Sequence, residues 1–391
     1  MRRVSEIQGL PRGLVHLFIV NVVVSQNQSI LTSLLGLLAE SKGATQLDVG
    51  LLFLLGGVSS TLLMIPSGVL SQMVGRRRMI MIGAGISAVS LLSLTMAPTW
   101  NWLIPGASGF NIGFALFIPA RMSLIADYST EKNRATVYGL SNISWPVGTI
   151  YGPVAAGALA DSLGWNSAFY FASLTEVIAF YFATRLDKDQ PTMSTETSKT
   201  DHRVLSGLDL FKGPAVPLYA MHLLNSLGVS TVDPLLPLYL QGRFGINRTG
   251  VGLFYSISAG FSTLIGQVPA GIVGDRYGNR KVILAGLAAL PPLYMLCGFS
   301  STYLMVLVFY VGVQAMWSLT WPTSMALLIG KVPNARRGLA VGIRQTVIRL
   351  GADFGPTIGG TLAPFPLPFF AAAIINAASI LPILRIREKN R

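Results

Sequence analysis

Seven ionisable side chains lie inside long apolar runs of this 391-residue chain: Arg121, Glu176, His222, Asp233, Arg344, Arg349 and Asp353. A charge in hydrocarbon costs about 2.5 to 3.5 kcal/mol on insertion scales, so such groups face a cavity or a partner. Arg349 and Asp353 are four apart and can meet on one helical face as a self-neutralising pair. Arg344 has no local partner and is the better candidate to hold an anion, with Arg121 and Arg349 as further cations. His222, Ser226 and Asp233 fall on one helical stripe. At about 16 Å along the axis, His222 and Asp233 are too far apart to pair, but both can line one water-filled path. Asp233 precedes Pro234 and Pro237, which break the helix there and leave a carboxylate placed to exchange a proton. Glu176 and Asp353 are the other proton-carrying candidates. No nucleophile and base form a recognisable set with His222, and neither GxxxxGK[ST], HExxH nor a metal-ligand cluster occurs. Neither an enzyme, a cofactor nor a metal site is therefore expected.

Polar and aromatic stripes accompany these charges. Tyr310, Gln314, Trp317, Trp321 and Ser324 follow spacings of 4, 3, 4 and 3, one face of a helix. Asn21, Ser25, Gln28 and Thr32 mark another face, and Asn111, Phe114 and Arg121 a third.

The elements that must carry these residues are membrane helices. The chain is 51% hydrophobic and 12% charged, with a mean hydropathy of +0.57, far too little charge for a soluble protein of this length. The net charge of +13 sits in short clusters between apolar runs, which excludes a nucleic-acid-binding face. The lone Cys297 lies in an apolar run, so no intramolecular disulfide is available. Twelve spans are predicted, at 13–38, 47–71, 78–97, 101–126, 135–160, 165–185, 213–240, 247–273, 282–300, 302–329, 338–362 and 365–385. The first follows a basic segment and is too long for a cleaved signal. The polar stretch from Asp187 to Arg203 cannot bury a core and reads as a solvated linker. Lys and Arg divide 23 to 3 between the two sets of loops and tails, predicting both termini in the cytoplasm. Asn247-Arg248-Thr249, on the other side, matches a glycosylation sequon of the kind that arises by chance.

The chain repeats itself. Gly271 to Lys281 (GIVGDRYGNRK) has a weaker copy 203 residues earlier, at Gly68 to Arg78 (GVLSQMVGRRR). At the same shift Pro119 maps to Pro322, Arg134 to Arg337, and Gly148-TIY-Gly152-Pro153 to Gly351-ADF-Gly355-Pro356. Two parallel six-helix halves follow, 1–186 and 209–391, joined by a linker at 187–208. The Gly-Pro segments allow close helix approach and remove a helix hydrogen bond, so each can pack helices or serve as a hinge.

The basic hairpins resemble the Gly-x-x-x-Asp-Arg-x-Gly-Arg-Arg loop of the major facilitator superfamily, and the Gly-Pro segments resemble a motif of its drug and proton antiporters. The later hairpin keeps Gly271, Asp275, Arg276, Gly278 and Arg280; the earlier keeps Gly68, Gly75 and Arg77 but has Gln72 in place of the acid. The resemblance covers essentially the whole chain. It implies an all-α membrane protein of twelve helices in two pseudo-symmetric six-helix bundles, with spans 1, 4, 7 and 10 around a central cavity. It also implies that Asp275 docks on the start of span 5 near Arg134 and Ala135 as a gate, with a weaker counterpart at Gln72. The arginine that many antiporters carry in span 4 falls at Ala107, so its role does not transfer to Arg121.

The expected function is proton-coupled export of small amphipathic organic molecules by a monomer in the cell membrane. Substrate contacts are expected from Asn21, Gln28, Asn111, Arg121, His222, Tyr310, Gln314, Trp317, Trp321, Arg344 and Arg349. The alternative is uptake or exchange of an organic anion on the arginines. A non-transporting membrane sensor is a remote third reading, since a sensor is expected to carry a sizeable soluble output domain and both tails are short.

Overall fold

The computed structural model describes residues 12–129, 134–187, 213–333 and 337–386. The linker from 188 to 208, Lys132 and Arg336 lie outside the described residues, as do the side chains of Gln72, Arg134, Ala135 and Arg337.

The described residues form twelve helical spans. The first six are α1 (Arg12–Ser41), α2 (Gln46–Val74), α3 (Arg76–Leu94), α4 (Leu103–Asp127), α5 (Arg134–Leu163) and α6 (Trp165–Ala183). The seventh is broken into α7 (Val216–Ser230) and α8 (Leu236–Phe244), because Pro237 in the first turn of α8 can only start a helix. The eighth runs as α9 (Arg248–Tyr255), a π-helical turn (Ser256–Phe261) and α10 (Ser262–Tyr277). The rest are α11 (Asn279–Phe299), α12 (Tyr303–Lys331), α13 (Arg337–Thr361) and the pair α14 (Leu367–Ala378) and α15 (Ile380–Leu384). Seven described helices are each long and apolar enough to cross a membrane.

Both basic hairpins are single-residue turns made by glycine. Gly75 joins α2 to α3 at φ +100° and Gly278 joins α10 to α11 at φ +90°, a backbone region that a side chain disfavours. The arginines beside them do more than orient the chain. Arg77 donates to the carbonyl of Thr184 at 2.5 Å, and its repeat equivalent Arg280 donates to those of Ile383 and Leu384 at 3.3 and 3.1 Å. Each guanidinium thus satisfies carbonyls at the end of the last span of its own half.

The Gly-Pro segments pack in two directions at once. Gly148 and Gly152 lie against α1 at Ser25 and Gln26, while Gly351 and Gly355 lie against α7 at Ser226 and Ser230. The prolines that follow face the other half: Gly252 sits on the Pro153 carbonyl and Gly50 on the Pro356 carbonyl. A side chain at any of these glycines would collide with backbone, so the close approach depends on their absence. Both α5 and α13 continue as helices through these prolines.

Hydrogen bonds and ion pairs join the halves on the side away from the hairpins and at mid-depth. They include Thr61 with Asp353, Thr357 with the Gly50 carbonyl, Asp161 with Arg248 and Thr249, and Arg248 with the Ala160 carbonyl. On the hairpin side Asp275 is exposed and has no hydrogen bond or ion pair among the described residues. The expected docking surface for Asp275, at Arg134 and Ala135 of α5, lies outside the described side chains.

Candidate functional site

A cavity of about 150 Å³ lies between the halves at mid-depth. Gln28 and Thr32 of α1, Asn111 of α4, Asp233 between α7 and α8, and Arg349 and Asp353 of α13 line it. Leu31, Leu35, Leu52 and Phe53 complete an apolar wall. With Ser230, two carboxylates, one guanidinium and four neutral polar groups therefore meet in one small, mainly apolar space.

Asp233 is held there by the outer end of the α12 stripe. Its Oδ1 accepts from the Tyr310 hydroxyl at 2.6 Å and from the Gln314 amide at 3.3 Å, and Tyr255 donates to its backbone carbonyl. Tyr310 and Gln314 are buried behind the carboxylate, so they orient it. The break from 231 to 235 sets its position: the backbone leaves the helix where Asp233 turns toward the cavity.

Arg349 and Asp353 interact electrostatically but make no ion pair within 4.0 Å. Asp353 crosses to the N-terminal half, where Thr61 Oγ1 donates to it at 2.6 Å and the absent side chain of Gly57 leaves room for it. Arg349 also crosses, placing its guanidinium 4.3 Å from the Phe114 ring centre. Spacing of four keeps the two charges within electrostatic reach, and each also makes a contact in the other half.

The inner end of the α12 stripe serves a second cluster. Arg344, fully buried, donates from Nε to His222 Nε2 at 2.9 Å and lies 4.4 Å from the Trp321 ring centre. Its Nη2 reaches Ser324 Oγ at 3.4 Å, and Trp317 packs on Trp321 with ring centres 5.5 Å apart. His222 and Asp233, expected along one path, thus belong to separate clusters.

Two expected substrate contacts lie inside the N-terminal bundle instead. Arg121 donates to the Ser141 carbonyl and hydroxyl at 3.2 and 3.1 Å, and Asn21 donates to the same carbonyl at 3.3 Å and to Ser144. Both are buried between α1, α4 and α5, because their polar stripes face the neighbouring helix and not the cavity. Glu176 is fully buried in the same bundle. Asn27 donates to its Oε1 at 3.0 Å, while Oε2 has no partner and borders a void of about 10 Å³ walled by Phe110, Phe114 and Phe117.

One cluster carried no sequence signal beyond a sequon. Asp161, at the end of α5, accepts from the Thr249 amide at 2.8 Å, the Thr249 hydroxyl at 2.6 Å and the Arg248 amide at 3.3 Å. Arg248 reaches the Ala160 carbonyl at 2.5 Å and lies 4.1 Å from the Trp165 ring centre. Asp161 thereby caps the N-terminus of α9 across the two halves, and Asn247 caps it from within. The sequon residues are occupied as a latch.

Two six-helix halves packed around a mid-depth cavity that sets charged groups in a mainly apolar wall define a membrane transporter. The family model described as the Major Facilitator Superfamily matches residues 17–220 and again 218–391, and the chain belongs to that family. The cis,cis-muconate transport protein of Acinetobacter baylyi is 26% identical over 333 residues, 81% of this chain and 79% of that protein. The multi-drug resistance efflux pump PmrA of Streptococcus pneumoniae is 24% identical over 386 residues, 92% of each chain. Among solved structures, the nucleoside transporter NupG superposes with a TM-score of 0.79 over 96% of this chain and 99% of its own. At 14% identity that likeness concerns the fold alone.

Proposed function

We propose that this chain is a proton-coupled secondary transporter that exports small amphipathic organic compounds by alternating access. The observation that carries it is the mid-depth cavity, where the carboxylates of Asp233 and Asp353 share a mainly apolar wall. Such a wall takes the apolar part of a substrate, and a carboxylate in it can trade a proton for substrate. The 23 to 3 division of basic residues supports cytoplasmic termini in the cell membrane, which makes the latched side the outer one. The cavity is then loaded from the cytoplasm, as export requires. The halves 1–186 and 209–391 act as rocking bodies in one monomer, with 187–208 as their tether and Gly148, Gly152, Pro153, Gly351, Gly355 and Pro356 as pivots. Similarity to a multidrug efflux pump supports the same reading.

Arg344 favours a second reading, uptake or exchange of an organic anion, to which the muconate transporter adds support. Proteoliposome flux separates the two. Export driven by an inward proton gradient and lost in Asp233→Asn is the expected result. Exchange that needs no gradient and is lost in Arg344→Ala would put the second reading in its place.

A further inference from the structure

We infer that the Arg344 cluster is a carboxylate site, and that the compounds carried are planar, aromatic or unsaturated monocarboxylic acids. The inference rests on the export reading and narrows its amphipathic compounds to this class.

The repeat supplies the comparison. Ser324 stands 203 residues after Arg121, and Arg344 stands 203 residues after Ser141, so each half holds one arginine-serine pair with the partners exchanged between helices. In the N-terminal half the carbonyl and the hydroxyl of Ser141 both accept from Arg121 Nη2, at 3.2 and 3.1 Å. The corresponding contacts in the C-terminal half are longer. The Arg344 contacts to Ser324 and to the Trp321 carbonyl are long, at 3.4 and 3.5 Å, and Nη1 is buried without an acceptor. No carboxylate among the described residues lies within 4.0 Å of it. His222 accepts at Nε2, which places its hydrogen on Nδ1 and makes it a neutral donor. The guanidinium therefore has one buried nitrogen without an acceptor and no carboxylate within 4.0 Å, and a ligand carboxylate would supply both an acceptor and the charge.

Trp321 specifies the rest of the ligand. Its ring lies on the guanidinium face, is half-buried, and continues into Trp317, giving a flat apolar surface beside the cation. An acid enters as Trp321 turns off Arg344, and its planar body takes the place of the indole or stacks against it.

The test uses the purified full-length chain in lipid nanodiscs, titrated with trans-cinnamate and with its neutral counterpart, trans-cinnamyl alcohol. Tryptophan emission and the thermal midpoint are followed. Cinnamate is expected to change both saturably, and the alcohol to bind at least about 10-fold more weakly. Arg344→Gln is expected to weaken cinnamate roughly 10- to 100-fold, as loss of a charge-assisted pair implies, without changing the weak affinity for the alcohol. Equal binding of acid and alcohol, or undiminished cinnamate binding by Arg344→Gln, overturns the inference. The comparison of acid with alcohol on the unmutated chain decides the matter if the variant does not fold. Flux in proteoliposomes keeps the two levels apart. Proton-driven export of ethidium without any of cinnamate removes the carboxylate site and leaves the export reading standing; export of neither removes both.

Discussion

Asp353 shows how far a side chain's partner is decided by what stands opposite. On its own helix Arg349 is the obvious counter-ion, yet the carboxylate bonds Thr61 of the other half at 2.6 Å. A hydrogen bond to a charged group contributes about 1.5 to 3 kcal/mol. Thr61→Val is therefore expected to loosen the joined state and leave Asp353 without its donor, whereas Arg349→Gln leaves that bond intact. A double-mutant cycle of Thr61→Val with Asp353→Asn, read from the fraction of molecules joined on the latched side by electron-electron distance measurement, is expected to be non-additive. Additive effects would show that the bond does not contribute to joining the halves.

At the scale of elements, the contacts of α2 with α13 and of α5 with α9 are made backbone to backbone. A Cβ built on Gly50 falls 2.5 Å from the Pro356 carbonyl oxygen, a distance that forces the helices apart. Gly50→Ala is expected to shift the population toward the state open on the latched side and to slow transport. Gly342→Ala, where a Cβ meets nothing within 4 Å, is expected to leave the conformational balance unchanged and to stabilise the helix slightly. Cysteine accessibility along α2 and α13 measures both. The repeat made Gly148, Gly152, Gly351 and Gly355 visible as a motif in α5 and α13, and the motif left packing and hinge equally open. The structure adds that each segment packs within its half by the glycines and across the halves by the following proline.

For the whole molecule, two acidic residues at opposite ends are expected to favour opposite states. Asp161 joins the halves here, and Asp275 is exposed at the hairpin end. Asp161→Asn is expected to favour opening on the latched side by roughly 1 to 2 kcal/mol, about 5- to 30-fold in population. Asp275→Asn is expected to shift the balance the other way, toward the conformation described, since its charge can dock only when the hairpin side closes. Single-molecule energy transfer between labels at the two ends reads both shifts, and the double variant should lie between them. A Gln72 variant is expected to change the balance less than Asp275→Asn, because only the later hairpin keeps its acid.

The sequence by itself determined the membrane class, the twelve spans, the repeat and the family. Those follow from hydropathy, charge placement and a 203-residue self-similarity, all properties of the chain read along its length. It also singled out every buried charge, since an ionisable group in an apolar run is costly wherever it lies. Only the tertiary structure decided which of them meet. Arg344 took His222, and Asp233 took Tyr310, although His222 and Asp233 share a predicted stripe. Arg121 and Asn21 turned into their own bundle, and Asp161, an unremarked acid at a helix end, became a clasp between the halves. Periodicity gives the face of a helix, but the partner on that face depends on how neighbouring helices are rotated and how closely they approach, and that is set by packing across 100 residues or more of sequence.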